Sequence, residues 1–267
     1  MKADVDALNQ EYALQGRLFF RQLAPDIVVA EVDSPLATAT ISLYGGQVVN
    51  WWTKHQQLPD HGYARISPWV VAATELTNDG AIRIRLAMQD TDMSLAHFPR
   101  SIRLSVQITV AKELTVALTT ENGSNQDVVL TEGLHTYFKV GDISAIQVLG
   151  LEGAQYLDLT RGNTLSRQEG PIRFDGELGR IFTNSTATCV IEDPSLARRI
   201  TTQKKGSLST AVWNPWAQTS AKMADLGEDG WRDMVCVESA NALENLVTIK
   251  SGTSHTHTAV YSAESVG

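Results

Sequence analysis

Ser101-Ile-Arg-Leu-Ser-Val-Gln-Ile-Thr-Val110 places Ile102, Leu104, Val106, Ile108 and Val110 on one side of an extended chain, and Arg103, Ser105, Gln107 and Thr109 on the other. A period of two is strand geometry, so this stretch reads as a β-strand with one buried face and one wetter face. Runs rich in Val, Ile, Leu, Phe and Thr lie before it at 17–23, 27–32, 36–42, 47–53 and 81–88. After it come 113–121, 127–131, 134–140, 145–149, 187–192, 198–202, 233–238, 245–250 and 256–261. Turn chemistry separates many of them: Ala24-Pro25-Asp26, Asp33-Ser34-Pro35, Asn78-Asp79-Gly80 and Glu121-Asn122-Gly123-Ser124. Helical periodicity is confined to residues near 4–14, with one more turn around 218–225. Strand–helix–strand alternation and fixed-period repeats are both missing, which argues against a doubly wound sheet, a propeller or a solenoid. About fifteen strands divided by turns predict an all-β fold, a large antiparallel β-sandwich. No Pro- or Gly-rich linker interrupts the chain, so a single domain over 1–267 is expected, with 1–15 as a polar N-terminal extension.

Hydrophobic residues make up 43% of the 267, enough for a sizeable core. The 22 basic and 30 acidic residues give a net charge of −8, against a nucleic-acid surface, which needs clustered Lys and Arg to neutralise phosphates. Cys189 and Cys236 form no Cys-x-x-Cys pair and each sits in an apolar run, as small buried residues do. Residues 1–15 are polar and acidic without an apolar signal core, and no apolar stretch reaches membrane-span length. The sequence therefore reads as a soluble, cytoplasmic protein without a membrane or nucleic-acid partner, and as a monomer.

Two ionisable residues interrupt apolar strand runs. His135 sits in Leu134-His-Thr-Tyr-Phe138 and Glu238 in Met234-Val-Cys-Val-Glu-Ser239. Burying such a group without a partner is costly. A histidine bonded to a main-chain carbonyl and a glutamate paired with an arginine are the structural alternatives; a general acid–base pair facing a cleft is the functional one. Leu134, Tyr137 and Phe138 supply the apolar and aromatic wall of a small-molecule site. No Gly-x-Ser-x-Gly is present, so proton transfer without a covalent intermediate is the natural chemistry. Trp213-Asn-Pro-Trp216, just ahead of Lys222-Met-Ala-Asp225, would suit the apolar face and the hydroxyls of a sugar, or form a structural corner. Trp51-Trp52 reads as core. His255-x-His257 puts two rings on one strand face, but no third ligand lies close in sequence, so no metal is expected. Gly45-Gly46 reads as a turn, not a phosphate loop.

Six stretches in order resemble the galactose-mutarotase-like superfamily, nearest its hexose-6-phosphate mutarotase (glucose-6-phosphate 1-epimerase) branch. They are Tyr44-Gly-Gly-Gln-Val-Val-Asn-Trp51, Leu58-Pro-Asp-His-Gly-Tyr-Ala-Arg65, Thr131-Glu-Gly-Leu-His-Thr-Tyr-Phe138, Val212-Trp-Asn-Pro-Trp216, Met223-Ala-Asp225 and Met234-Val-Cys-Val-Glu-Ser-Ala240. The resemblance implies a supersandwich with an aldose on its concave sheet, and no cofactor or metal. It implies His135 as general acid and Glu238 as general base in interconverting the anomers of an aldose or aldose 6-phosphate. Arg65 would contact a sugar phosphate, to which a guanidinium presents a bidentate fork. His61, Asp60, Tyr137, Trp213, Trp216 and Asp225 complete the expected substrate-binding set, although the charge of Asp60 would oppose a nearby phosphate.

This chain departs from the family pattern in two places. Only the eight residues from Thr53 to Asp60 separate Trp52 from His61, so the family's Arg-Gly-Gly segment is deleted together with a second phosphate-binding arginine. Gly179 stands where the family often has a substrate-contacting aspartate. The expected alternative to an enzyme is a non-catalytic carbohydrate-binding protein on the same fold with an incomplete substrate clamp.

Overall fold

The computed structural model describes residues 5–13, 15–16, 18–24, 27–33, 37–42, 48–53, 62, 64–67, 69–78, 80–88, 101–223 and 226–266. Its contacts divide the chain into two compact units, Met1–Ser67 with Asp90–Arg100 and Pro68–Gln89 with Ser101–Gly267.

The first unit holds helix α1 (Val5–Tyr12) and an antiparallel meander of β1 (Leu18–Ala24), β2 (Ile27–Asp33), β3 (Ala37–Ser42) and β4 (Val48–Thr53). The Asn9 side-chain amide closes both ends of one link to β1. Its nitrogen donates to the Phe20 carbonyl at 2.8 Å and its oxygen accepts from the Phe20 N–H at 2.7 Å.

The second unit is the β-sandwich. One layer is an eight-stranded antiparallel sheet. It contains β5 (Trp69–Leu76), β6 (Ile82–Met88), β7 (Ile102–Val110) and β8 (Leu114–Asn122). A short pair links β9 (Val128–Leu130) to a late strand, and then β10 (Glu132–Leu134) and β11 (Tyr137–Lys139) enter the other layer. The chain continues through β12 (Gln147–Leu149), β13 (Gln155–Asp158), β14 (Thr164–Arg167), β15 (Leu178–Phe182), β16 (Cys189–Asp193), β17 (Arg198–Lys205) and β18 (Ser209–Asn214). Helix α2 (Trp216–Ser220) precedes β19 (Met234–Asn241), β20 (Val247–Ile249) and β21 (Ser254–Ser265).

The eight-stranded sheet runs β12-β16-β17-β21-β8-β7-β6-β5, and the seven-stranded sheet runs β10-β19-β18-β15-β13-β14 with β11 also on β19. Their facing sides share one core. Phe182, Val212, Val235 and Val237 of the seven-stranded sheet meet Val148, Ile191, Ile200 and Ala259 of the other. Phe138 meets Tyr261 edge to face, with centroids 5.5 Å apart. Burial of this apolar surface is the main stabilising term. The stretch 101–110 forms β7, Ile102 to Val110, as its period requires. No helix among the described residues is long and apolar enough to cross a membrane.

Candidate acid–base site

Strand alternation sorts residues 132–138 into two jobs. Leu134 and Phe138 pack into the inter-sheet core, and Thr136 bonds there to the Tyr261 hydroxyl at 2.6 Å. Glu132, 4% exposed in its side chain, also points into that layer. The residues between them, His135 and Tyr137, emerge on the opposite face of the seven-stranded sheet. In β19 the same rule sends Val235, Val237 and Ser239 inward and leaves Cys236 and Glu238 on the His135 side.

Ladder pairing stops after Leu134 and resumes at Tyr137, but the register does not slip. Leu134 faces Ser239 and Tyr137 faces Cys236, so His135 stands across from Glu238. His135 Nδ1 is 3.5 Å from Glu238 Oε1. The next strand continues both rows: Ala211 lies beside Glu238 and Trp213 beside Cys236, and Gly179 lies beside Trp213. Tyr137 stacks on the His135 ring with centroids 4.8 Å apart and planes 8° from parallel. The Trp213 ring stands edge-on to both, at 6.1 Å from His135 and 6.3 Å from Tyr137. Small residues at Ala211 and Gly179 leave the sheet surface low beside these rings. A Cβ on Gly179 would make ordinary contact, 3.4 Å from the Leu159 Cβ.

Glu238 is 14% exposed in its side chain and His135 is 25% exposed. Burial pushes the Glu238 carboxyl up from its ordinary 4.5 to about 7, because the charged form loses hydration that nothing nearby fully replaces. The carboxyl therefore changes charge near neutral pH, where a general base is most effective. Cys236 is fully buried, and burial raises its thiol well above the ordinary value. Ligand atoms of His135, Cys236 and Glu238 all lie within 4.8 Å of one another. In sequence Cys236 reads as a small buried residue; its place beside the acid–base pair follows only from the His135–Glu238 register. Such a nitrogen, sulfur and oxygen set could hold a divalent cation only once the buried thiol gives up its proton.

Tyr137 and Trp213 are thus gathered around His135 and Glu238. Trp216 goes elsewhere: its ring packs on Trp231, centroids 4.3 Å apart, and it contributes to the core. Asn214, between the two tryptophans, is fully buried and organises the corner. It donates to the Trp231 carbonyl at 2.8 Å and the Met234 carbonyl at 2.9 Å, and accepts from the Trp216 N–H at 2.8 Å. These bonds hold Trp216 at φ 56°, a conformation uncommon for a large side chain. Arg65 is exposed on a short 3-10 turn, Ala64–Ile66, in the first unit. Asp60, His61 and Asp225 lie outside the described residues. Glu177, two residues before Gly179, accepts from the Thr219 hydroxyl at 2.9 Å. His255 and His257 do share a face, and a third group reaches them from distant sequence: Glu132 Oε1 is 2.9 Å from His255 Nε2 and 3.6 Å from His257 Nδ1.

The sequence profile of the aldose 1-epimerase family matches residues 54–262. The chain belongs to the aldose 1-epimerase family. Membership carries an epimerase (mutarotase-type) function with a sugar as the small-molecule ligand. Among similar curated proteins, the "Putative glucose-6-phosphate 1-epimerase" of Salmonella typhimurium is 28% identical over 247 residues, 90% of this chain and 82% of that protein. The Escherichia coli K12 protein of the same name is 30% identical over 222 residues, 80% of this chain and 73% of its own. Among solved structures, a "putative mutarotase" from Salmonella typhimurium superposes with a TM-score of 0.71 at 23% identity, covering 95% of both chains. A galactose 1-epimerase from Lactobacillus acidophilus gives a TM-score of 0.53 at 12% identity, over 94% of this chain and 98% of that one. At these identities the structures establish the shared galactose mutarotase-like β-sandwich.

Proposed function

We propose that this aldose 1-epimerase family member interconverts the α and β anomers of an aldose or aldose 6-phosphate, with Glu238 as general base and His135 as general acid. The observation that carries the reading is the 3.5 Å approach of His135 Nδ1 to Glu238 Oε1 on an aromatic-lined sheet face. The two oxygens that must exchange protons, the anomeric hydroxyl and the ring oxygen, are bonded to the same carbon, so an acid and a base this close can serve both. Glu238 removes the hydroxyl proton as the C1–O bond to the ring oxygen breaks and the C1 carbonyl forms. His135 supplies the proton to the departing ring oxygen. After rotation about C1–C2 the ring oxygen returns its proton to His135 and attacks the other carbonyl face, and Glu238 reprotonates the new hydroxyl. Atoms and protons balance with these two groups, and no cofactor enters.

Tyr137 and Trp213 offer the surface on which the apolar face of a pyranose would lie. On this reading 1–267 acts as one mutarotase-like domain, monomeric and cytoplasmic. Arg65, with Asp60, His61 and Asp225, would supply contacts beyond the reacting carbon. The guanidinium of Arg65 would take a phosphate, and Trp216 would support the corner that carries Trp213. Anomer exchange followed by NMR on glucose, galactose and glucose 6-phosphate tests the proposal; exchange no faster than buffer on all three would sink it. Gly179 beside Trp213, in place of an acidic residue, favours a second reading, a carbohydrate-binding protein without turnover. Calorimetric sugar binding with no exchange would select it.

A further inference from the structure

Two hydrogen bonds cross the sandwich behind the acid–base pair, and both end on β21. The Thr136 hydroxyl meets the Tyr261 hydroxyl at 2.6 Å. The Ser239 hydroxyl meets His257 Nε2 at 2.5 Å. Thr136 directly follows His135, and Ser239 directly follows Glu238. Tyr261 and His257 are four residues apart on one strand and so share its inward face. The His257 ring also faces the strand that leads to His135, since its Nδ1 is 3.6 Å from Glu132 Oε1. Asn241 of β19 donates to the same Glu132 oxygen at 2.9 Å, tying the two site-bearing strands together once more.

Core packing does not explain these choices. Phe, Val and Leu would fill the same layer without a desolvation cost, and a buried hydrogen bond adds only about 1 kcal/mol net. A satisfied buried pair does add direction, fixing where a backbone segment sits. That constraint matters most where the ladder is broken, and residues 135–136 are the break between β10 and β11. The Thr136 Oγ1 also lies 3.4 Å from the Leu134 carbonyl, so a chain from Tyr261 through Thr136 to Leu134 can brace the unladdered segment.

We propose that β21 is a splint for the acid–base pair, with Tyr261 and His257 as positioning residues that hold Thr136 and Ser239, and through them the spacing of His135 and Glu238. The proposal rests on the reading of His135 and Glu238 as acid and base, and its test keeps the two apart.

Thr136→Val and Tyr261→Phe each delete the first bond at nearly constant volume, Ser239→Ala deletes the second, and Thr136→Ser keeps the hydroxyl. Each single deletion lowers kcat by about 10- to 100-fold, the scale of a small misplacement of reacting groups, with KM nearly unchanged. The Thr136→Val/Tyr261→Phe double variant is no slower than either single, because one bond is lost in all three. Thr136→Ser recovers most of kcat. A folding defect instead lowers the folded fraction, seen in circular dichroism and chemical denaturation, without this non-additive pattern. A second readout needs no turnover: in NMR titrations of the His135 ring, Glu238→Gln perturbs the wild-type titration curve. In the Thr136→Val background that perturbation shrinks. Deletion variants with wild-type kcat, or additive losses in the double variant, overturn the splint. If the wild-type protein exchanges no sugar, the mutarotase reading fails, and an undiminished perturbation in the NMR titration overturns the splint by itself.

Discussion

Replacing Glu238 by glutamine should slow anomer exchange by about 10²- to 10⁴-fold and yet make the protein more stable at alkaline pH. In the unfolded chain the carboxyl ionises near 4.5, whereas in the fold burial holds it protonated up to about 7. Below pH 4.5 both states carry the proton and the site costs nothing. Between 4.5 and 7 the unfolded chain binds fewer protons than the folded one, so stability falls as pH rises, by about 1.4 kcal/mol per pH unit. Above 7 the loss is complete and amounts to about 3 kcal/mol on this scale. An uncharged glutamine of similar shape removes the pH dependence. Urea denaturation of both proteins from pH 4.5 to 8.5 measures it. The variant should gain nothing over wild type at the acid end and about 3 kcal/mol at the alkaline end, with the change centred between the two pKa values. A difference that stays constant with pH, or a wild type at least as stable as the variant at pH 8.5, would refute a buried carboxyl at this position.

As the proposed base, the same carboxyl would set an acid limb: kcat/KM should fall as pH drops through about 7, since only the ionised form accepts a proton, and a flat profile from pH 5.5 to 8 would contradict it. Zinc or cadmium at micromolar levels should inhibit exchange in competition with sugar and be reversed by chelator. Cys236→Ala should weaken that inhibition, and equal inhibition of both proteins would remove the thiol from the donor set. Asn214→Ala leaves two carbonyls and one N–H of the Trp213–Trp216 corner without their partner, and should cost about 3 kcal/mol in chemical denaturation. Arg65→Ala should erase any salt-sensitive preference for glucose 6-phosphate over glucose in competition assays; an unchanged preference would place phosphate recognition elsewhere.

The fold was legible where strands alternate, as in Ile102–Val110, but the apolar run Trp69–Leu76 that forms β5 escaped the reading, as did buried strands that carry polar residues. Ser209–Asn214 holds three buried polar residues, Ser209, Thr210 and Asn214, and partners such as Asn245 for Ser209 and Trp231 for Asn214 come from other elements of the chain. Gln155–Asp158 and Thr164–Arg167 are four-residue strands too short to show a period. The site divides the same way. His135 and Glu238 were visible because a charge in an apolar run asks for a reason. Cys236 and Ala211 were not, because their role depends on which residue stands across the ladder. The cluster of Glu132, His255 and His257 needed the sandwich to close before its three members met.

In the proposed mechanism two side chains, His135 and Glu238, carry the proton transfers. Exchange NMR on the best of the three sugars, with wild type, His135→Asn and Glu238→Gln at equal concentration, tests it most directly. Exchange well above buffer is expected for wild type, with a loss of roughly 10²- to 10⁴-fold in each variant and sugar binding retained. A variant of either residue that exchanges anomers at the wild-type rate would contradict it.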